Sequence, residues 1–377
     1  MHSFLLYLNP LSTMPRLAKS KSKGAGKHKF VPYVTGFHPP SQKQATIACG
    51  DVNQRNELEP YKSFKPIPKC TSENDWLAQY CEEGQNFSEF KQTCPWLSKR
   101  KCTRVKQDFV SSGRTLQDRY PDGAICLLPL GDFDSQSSPE FKSLVEYASI
   151  FFNVSVKILP KIKLENDGKN GIYCTQQNPK KKYYIESRRK DEKYQLNIVS
   201  LIRFVGGIAA PDEALCTIAL TMSDLYEAKA DLFVAGMAAG NHRVGVFSFY
   251  RYDPNVQFSP EFWYETTYTD LKCSDDEKKR LLLARSCRLL VHEIAHILGV
   301  GHCIYYECCM NGSGHLEEDF RQPMFLCPVD LHKLESLCGF DILHRYQKLR
   351  NFFEKFGLAS EQIWIEKRLE YIKNAPK

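Results

Sequence analysis

In HEIAHILGVGH, residues 292 to 302, three histidines and a glutamate punctuate a run that otherwise reads as core. A helix turns about 100° per residue, so His292 and His296 stand one turn apart on one face and can both reach a single cation. Glu293 follows the first of them, where its carboxylate can sit beside a metal-bound water without being a ligand. Gly299 suits a helix end at which one residue turns left-handed to send the chain back. That reversal can return His302 to the same ion. Three neutral imidazoles with a fourth position open form a catalytic zinc arrangement rather than a closed structural one. A core helix that happens to carry histidines is the plainer reading of each residue alone, but it must account for five fixed positions at once in His-Glu-x-x-His-x-x-Gly-x-x-His.

These residues need a rigid carrier. SDDEKKRLLLARSCRLLVHEIAHILG has a start signal in Ser274 and three acids, and reads as one long helix ending at Gly299. Upstream, PDGAICLLPLG reads as a buried strand, SPEFKSLVEYASIFF as an amphipathic helix opened by Ser138 and Pro139, and SVKILP as a second strand. That order predicts parallel pairing. NPKKKYYIESRRKDEKYQ is charged enough to read as a solvated loop leading into a helix at LNIVSLIRFV. ALCTIALTMSDLY follows as a buried strand, then LFVAGMAAG and VGVFSFYRY as two β-rich runs parted by Gly240 and Asn241. Beyond Asp330 two helical segments, near 330 to 355 and 360 to 373, close the chain. Residues 51 to 118 mix short helical signals such as SENDWLAQYCEEG with prolines and charge clusters, offer no catalytic spacing, and read as an accessory region.

With 377 residues, 42% of them hydrophobic, the chain can bury a real core. Its net charge of +7 is local: residues 1 to 50 hold seven basic residues and no acid, and the remainder carries 44 of each sign. The excess belongs to a tail around KSKSKGAGKHK, read as solvated and disordered over residues 1 to 50, and nucleic-acid binding rests on that tail alone. The apolar run FLLYL near the start is too short for an export signal, and no run approaches the roughly 20 residues that span a bilayer. The expectation is a protein of the cell interior, cytoplasmic or nuclear, with no membrane partner. In that setting fifteen cysteines, an odd number without repeated spacing, read as thiols and metal ligands rather than a disulfide framework. Cys49, Cys81, Cys126, Cys216 and Cys273 read as small buried hydrophobes.

Just past the third histidine come Cys303, Cys308, Met310 and Cys327. The run HEIAHILGVGHCIYYECCM, continuing to CPVD at 327 to 330, resembles the archaemetzincin family of zinc peptidases, weakly from about residue 120 and strongly from 287 to 345. The resemblance implies an α/β fold: a metzincin-like catalytic domain at 119 to 377 with a mixed, mostly parallel twisted sheet, an antiparallel edge strand, an active-site helix and a helical C-terminal part. It implies that His292, His296 and His302 hold a catalytic zinc, that Glu293 is the general base of peptide hydrolysis by a zinc-bound water, and that Met310 is the Met-turn residue under the metal. It also implies a structural zinc on Cys303, Cys308 and Cys327, with Asp330 standing where the family has a fourth Cys. A carboxylate can ligate zinc, and Cys309 and Cys338 are alternatives. The expected partner is a peptide or protein substrate held extended along a sheet edge, for which VGVFSFYRY is the candidate rim or else an interior strand. Some relatives are aminopeptidase-like. Tyr305 and Tyr306 read as packing residues rather than oxyanion donors, and His315, Glu317 and Glu318 carry no assigned role. The rival class is a zinc-stapled binding protein with vestigial peptidase chemistry; Asp330 leaves room for it, and the intact Glu293 speaks against it.

Overall fold

A computed structural model describes residues 37–51, 56–58, 63–102, 104–133, 137–168, 171–175, 181–190, 193–256 and 273–375. The basic run KSKSKGAGKHK and the FLLYL segment lie outside these residues.

The chain begins with short helices α1 (Gln42–Cys49), α2 (Trp76–Gln79), α3 (Phe87–Thr93) and α4 (Leu116–Arg119). It continues through β1 (Ala124–Pro129), α5 (Phe141–Phe152), β2 (Ser155–Ile158), β3 (Lys163–Asn166), β4 (Ile172–Thr175), β5 (Lys182–Tyr184), β6 (Ser187–Lys190), β7 (Lys193–Asn197), α6 (Ile198–Phe204), β8 (Cys216–Thr221), β9 (Asp224–Tyr226), β10 (Gly236–Ala239) and β11 (Val244–Ser248). Five helices close it: α7 (Asp275–Ile297), α8 (Leu316–Arg321), α9 (Pro328–Cys338), α10 (Ile342–Lys355) and α11 (Ala359–Asn374).

The central sheet runs β10-β11-β8-β1-β2. β1 pairs in parallel with β2 and β8, β8 in parallel with β11, and only β10 is antiparallel to its neighbour. β1, β8 and β11 are buried along their whole length, which is why they read as unbroken apolar runs rather than alternating ones. Successive side chains still go to opposite faces. Ile125, Leu127, Ile218, Leu220 and Phe247 join the core that holds α5 and α7, while Leu128, Ala219, Val244 and Val246 join a second core with Leu201 and Phe204 of α6. Helices therefore cover both faces of a mixed α/β sheet.

Several expectations are corrected here. Of the two readings of VGVFSFYRY, the interior strand holds: it supplies β11, which has neighbours on both sides, and the antiparallel edge strand is β10, whose residues are GMAA. NPKKKYYIESRRKDEKYQ holds strands β5 to β7 rather than a loop. β5 and β6 pair antiparallel with β4 and β7 and keep their side chains exposed or half-buried, so burial imposes no apolar alternation on them; β7 also pairs in parallel with β9 and buries Gln195, Leu196 and Asn197. The C-terminal part has three helices after Cys327, because Gly339 takes a left-handed φ of +69° and ends α9. The solvated tail was expected to reach residue 50, yet α1 folds at 42–49 and buries Ala45, Ala48 and Cys49, small residues that make a weak sequence signal. Of the cysteines read as buried, Cys81 is exposed and Cys273 half-buried. Residues on both sides of position 118, Trp76, Phe90 and Trp96 among them, share one core with α5 and α7. No helix among the described residues is long and apolar enough to cross a membrane.

α7 starts with a capping box. The Ser274 hydroxyl accepts from the Glu277 N–H and the Glu277 carboxylate accepts from the Ser274 N–H, with Asp275, Asp276 and Glu277 in the first turn. Ser274→Ala should lower stability by about 1 kcal/mol and leave metal content unchanged, since the cap lies 18 residues from His292. A denaturant melt with metal analysis on the same sample checks both.

Candidate metal centre

α7 carries His292 and His296 on adjacent turns of one buried face. The helix stops at Ile297, Gly299 takes a φ of +95°, and the chain brings His302 back alongside. Each ring commits its Nδ1 to an acceptor at 2.7 Å: His292 to the Cys309 carbonyl, His296 to the Val300 carbonyl and His302 to the Glu82 carboxylate. Carbonyl and carboxylate oxygens only accept, so all three protons sit on Nδ1 and all three Nε2 present lone pairs. The ligand nitrogens lie within 4.8 Å of one another, and Nε2 of His292 and His296 are 2.9 Å apart. Two unprotonated nitrogens that close repel unless a cation stands between their lone pairs. Nε2 of His302 is buried with no hydrogen-bond partner among the described residues.

Electrostatics favour the neutral form of His292 and His296. Burial, helped by the charge of His302, pushes His292 down to about 3. Burial also holds His296 well below its ordinary value. Glu293 is fully buried, and neither of its carboxylate oxygens has a hydrogen-bond partner among the described residues. Burial and the charge of Asp319 push that carboxyl well above the usual range. Three imidazole donors on converging side chains match the donor set of a catalytic zinc ion with an open position, and the acid that follows His292 on the helix has no hydrogen-bond partner among the described residues.

The second cluster lies directly behind. Cys303, Cys308, Cys327 and Asp330 are buried, with their ligand atoms within 4.8 Å of one another. Cys303 and Cys327 sulfurs are 3.5 Å apart, and Asp330 Oδ2 is 3.2 Å from the Cys308 sulfur and 3.4 Å from that of Cys327. Cys327 caps α9, Pro328 fills its first position, and Asp330 follows within the first turn, so one helix start supplies two of the four groups. Asp330 divides its carboxylate: Oδ2 faces the sulfurs while Oδ1 accepts from Lys333 Nζ at 2.8 Å, both side chains fully buried. Burial raises the Cys303 thiol, but hydrogen bonds from Cys308 and Cys327 and the charge of Lys333 outweigh it and hold the group well below its ordinary value. Cys309 and Cys338 stand outside the cluster, and burial pushes the Cys309 thiol up to about 12. Met310 is fully buried, and its carbonyl accepts from the Cys303 N–H at 2.8 Å.

The sequence model of Peptidase family M54 matches residues 266–336. Archaemetzincin-2 of Homo sapiens is 41% identical over 301 residues, covering 76% of this chain and 73% of that protein. Archaemetzincin-2 of Rattus norvegicus is 28% identical over 356 residues, covering 87% and 88%. The chain belongs to the archaemetzincin family. Its members are zinc metallopeptidases. Among solved structures, archaemetzincin from Methanopyrus kandleri is 23% identical with a TM-score of 0.35, covering 56% of this chain and 93% of that one.

Three residues important to this archaemetzincin's two clusters have no counterpart in the sequence reading. Glu82 reaches His302 across 220 positions, a separation at which no spacing rule operates. Lys333 lies one turn from Asp330 in a helix that reads as ordinary. Asn311 is buried, accepts from the Cys308 N–H and donates to the carbonyls of Cys303 and Tyr306, tying together the loop that follows the third histidine. Tyr305 and Tyr306 are buried among Ile304, Phe64 and neighbouring residues, and burial raises Tyr305 to about 12. His315 and Glu318 have structural work: His315 caps α8 and meets Asp75 at 3.1 Å, while Glu318 accepts from the N–H groups of Gly314 and Trp76. Asp75 also accepts from Thr71, Ser72 and Arg321, so this third group of Asp75, His315 and Glu318 is satisfied by the protein itself.

Two stability predictions arise from these groups. Lys333→Met strands a buried carboxylate oxygen and should cost roughly 3–5 kcal/mol, read as a large drop in melting temperature. Glu318 is raised from 4.5 to about 7, chiefly by burial. Below 4.5 it is neutral in both states; as pH rises from 4.5 to 7 the unfolded chain ionises while the folded chain does not, so the folded state loses up to about 3 kcal/mol by the time pH exceeds 7. Glu318→Gln keeps an acceptor for both N–H groups and should melt higher than the parent near pH 8 but equal to it near pH 4.5.

Proposed function

We propose that this archaemetzincin is a zinc-dependent peptidase whose catalytic ion is held by His292, His296 and His302, with Glu293 as general base. The observation that carries the reading is the convergence of three Nε2 atoms whose rings commit their Nδ1 protons elsewhere, with the adjacent residue of the same helix, Glu293, a buried carboxylate that has no hydrogen-bond partner among the described residues. When bound, the ion polarises a carbonyl and lowers the pKa of water toward 7. Glu293 takes the proton from the attacking water and delivers it to the amine nitrogen as the C–N bond breaks. Burial and the charge of Asp319 push that carboxyl upward, and a dication nearby would favour the ionised form a base requires. Met310 packs as the apolar floor of the site, and the cysteine cluster with Asp330 holds a second, structural zinc.

The fold reads as metzincin-like: catalytic residues on α7, a mostly parallel sheet above it, and the antiparallel edge strand β10 packed against α7. An extended peptide can add to that edge by main-chain hydrogen bonds. The catalytic unit runs from 119 to 377, with Trp76, Phe90 and Trp96 among the earlier described residues packed into the same core. The rival, a zinc-stapled binding protein, has no use for an uncommitted carboxylate at position 293, because a purely structural metal needs no base.

The test compares the parent with Glu293→Gln on a peptide library, with metal analysis on both. The expected result is unchanged zinc and a fall in turnover of roughly 10²- to 10⁴-fold. Equal turnover in the two, with zinc bound, sinks the hydrolase reading. Two zinc ions per chain are expected, falling to one in Asp330→Ala; free and N-acetylated versions of one peptide report the aminopeptidase preference that the family resemblance implies.

A further inference from the structure

His292 and His296 inherit their positions from a rigid helix. His302 does not, because it follows a left-handed glycine in a loop. The groups that hold it come from residues 82 to 96, a stretch with no catalytic spacing of its own. Trp96 Nε1 donates to the Ile297 carbonyl at 3.0 Å, the Cys94 thiol to the Leu298 carbonyl at 3.3 Å, and Gln85 Nε2 to the Gly299 carbonyl at 3.1 Å. Three consecutive carbonyls at the end of α7, which a helix leaves without internal partners, are thus each met by a different side chain of that stretch. Gln85 also accepts from the Gly301 N–H at 3.0 Å, spanning the reversal between the second histidine and the third. The approach is close: a Cβ on Gly299 would lie 3.3 Å from the Cys94 sulfur, and one on Gly84 would lie 2.6 Å from Ile304.

From this clamp Glu82 extends to His302. One carboxylate oxygen accepts from His302 Nδ1 at 2.7 Å and from the indole of Trp76 at 2.5 Å, and the Trp76 ring stands edge-on to the His302 ring at 5.1 Å. His292 and His296 give their Nδ1 protons to neutral carbonyls, whereas His302 gives its proton to a carboxylate. A carboxylate there fixes the tautomer and ring direction and makes Nε2 a stronger donor.

We propose that Glu82 is the positioning residue of the third ligand, carried by a clamp of Gln85, Cys94 and Trp96, so that residues 82 to 96 are part of the metal site rather than an accessory. This rests on the reading of His302 as a ligand. Removing Glu82 leaves the ring free to turn and weakens the ion's grip without touching any ligand.

The experiment measures zinc affinity by chelator competition in the full-length holoprotein and records the visible spectrum of the cobalt(II) form. Glu82→Ala should bind zinc at the histidine site 10- to 100-fold more weakly, with altered cobalt d–d bands and the cysteine-bound metal retained. Glu82→Gln, which still accepts from both His302 and Trp76, should recover to within about tenfold of the parent. If Glu82→Ala does not fold, as loss of the cysteine-bound metal would report, Glu82→Met fills the same volume without an acceptor and should weaken binding equally. His302→Ala is the control and should lose the histidine-bound zinc. If it does so while the Glu82 variants bind as the parent, the assignment of Glu82 is overturned alone. If His302→Ala keeps its zinc, the histidine reading fails and Glu82 with it.

Discussion

Three imidazole lone pairs aimed at one buried point are the constraint from which the rest of this structure follows. The arrangement is unfavourable without a cation: Nε2 of His292 and His296 stand 2.9 Å apart with their protons committed elsewhere. The fold must therefore supply three acceptors, one behind each ring, at places a helix cannot offer. Only Val300 O comes from the chain immediately following the helix. Cys309 O comes from the loop that carries the cysteine cluster, and the Glu82 carboxylate from a segment more than two hundred residues earlier.

Those sources explain why the site is held from two sides. Behind it, Cys303 follows His302 directly and Cys308 precedes the residue whose carbonyl orients His292, so whatever fixes the cysteine cluster also fixes two histidines. In front, residues 63 to 67 pair with the same loop, Glu307 N–H donating to the Lys65 carbonyl and Ile67 N–H to the Tyr305 carbonyl. Three arginines meet part of the polar demand of the surrounding core. Buried arginines give their N–H groups to main-chain carbonyls, Arg285 to Tyr252, Arg288 to Asp319 and Arg345 to Phe151, and Arg285 and Arg345 lie over the rings of Phe320 and Phe151. Each thus satisfies a donor that would otherwise be stranded in the core.

The convergence of the residues proposed to carry chemistry was legible because their order along a helix is their order in space. His292, His296 and Glu293 follow from 3.6 residues per turn, Gly299 from its left-handed preference, and the central strands from unbroken apolar runs. What was illegible depends on distance or on weak burial. Glu82 meets His302 only through the fold. β5 and β6 expose much of both faces and so show charge instead of alternation. β10 lies in LFVAGMAAG, legible as a β-rich run, but its glycine, alanines and one methionine did not show that it, rather than β11, forms the edge. Helix α1 buries alanines and a cysteine, a face too small to register against the basic stretch before it.

In the proposed structural zinc site, the geometry around Asp330 is compatible with its departure from the four-cysteine pattern that the family resemblance implies. A fourth thiolate would bring one more negative charge and a single coordinating atom. The carboxylate brings the same charge but two oxygens, and it places Oδ2 toward the sulfurs while Oδ1 binds Lys333. The lysine cation is then spent on the side of the carboxylate that faces away from the cluster, where it moderates the negative charge without competing for the centre. Burial raises Asp330 to about 6 even with that cation against it, so the pair depends on Lys333 staying in place. A carboxylate here works only together with its lysine, and the two residues form one unit in a helix turn whose spacing of three makes the contact automatic.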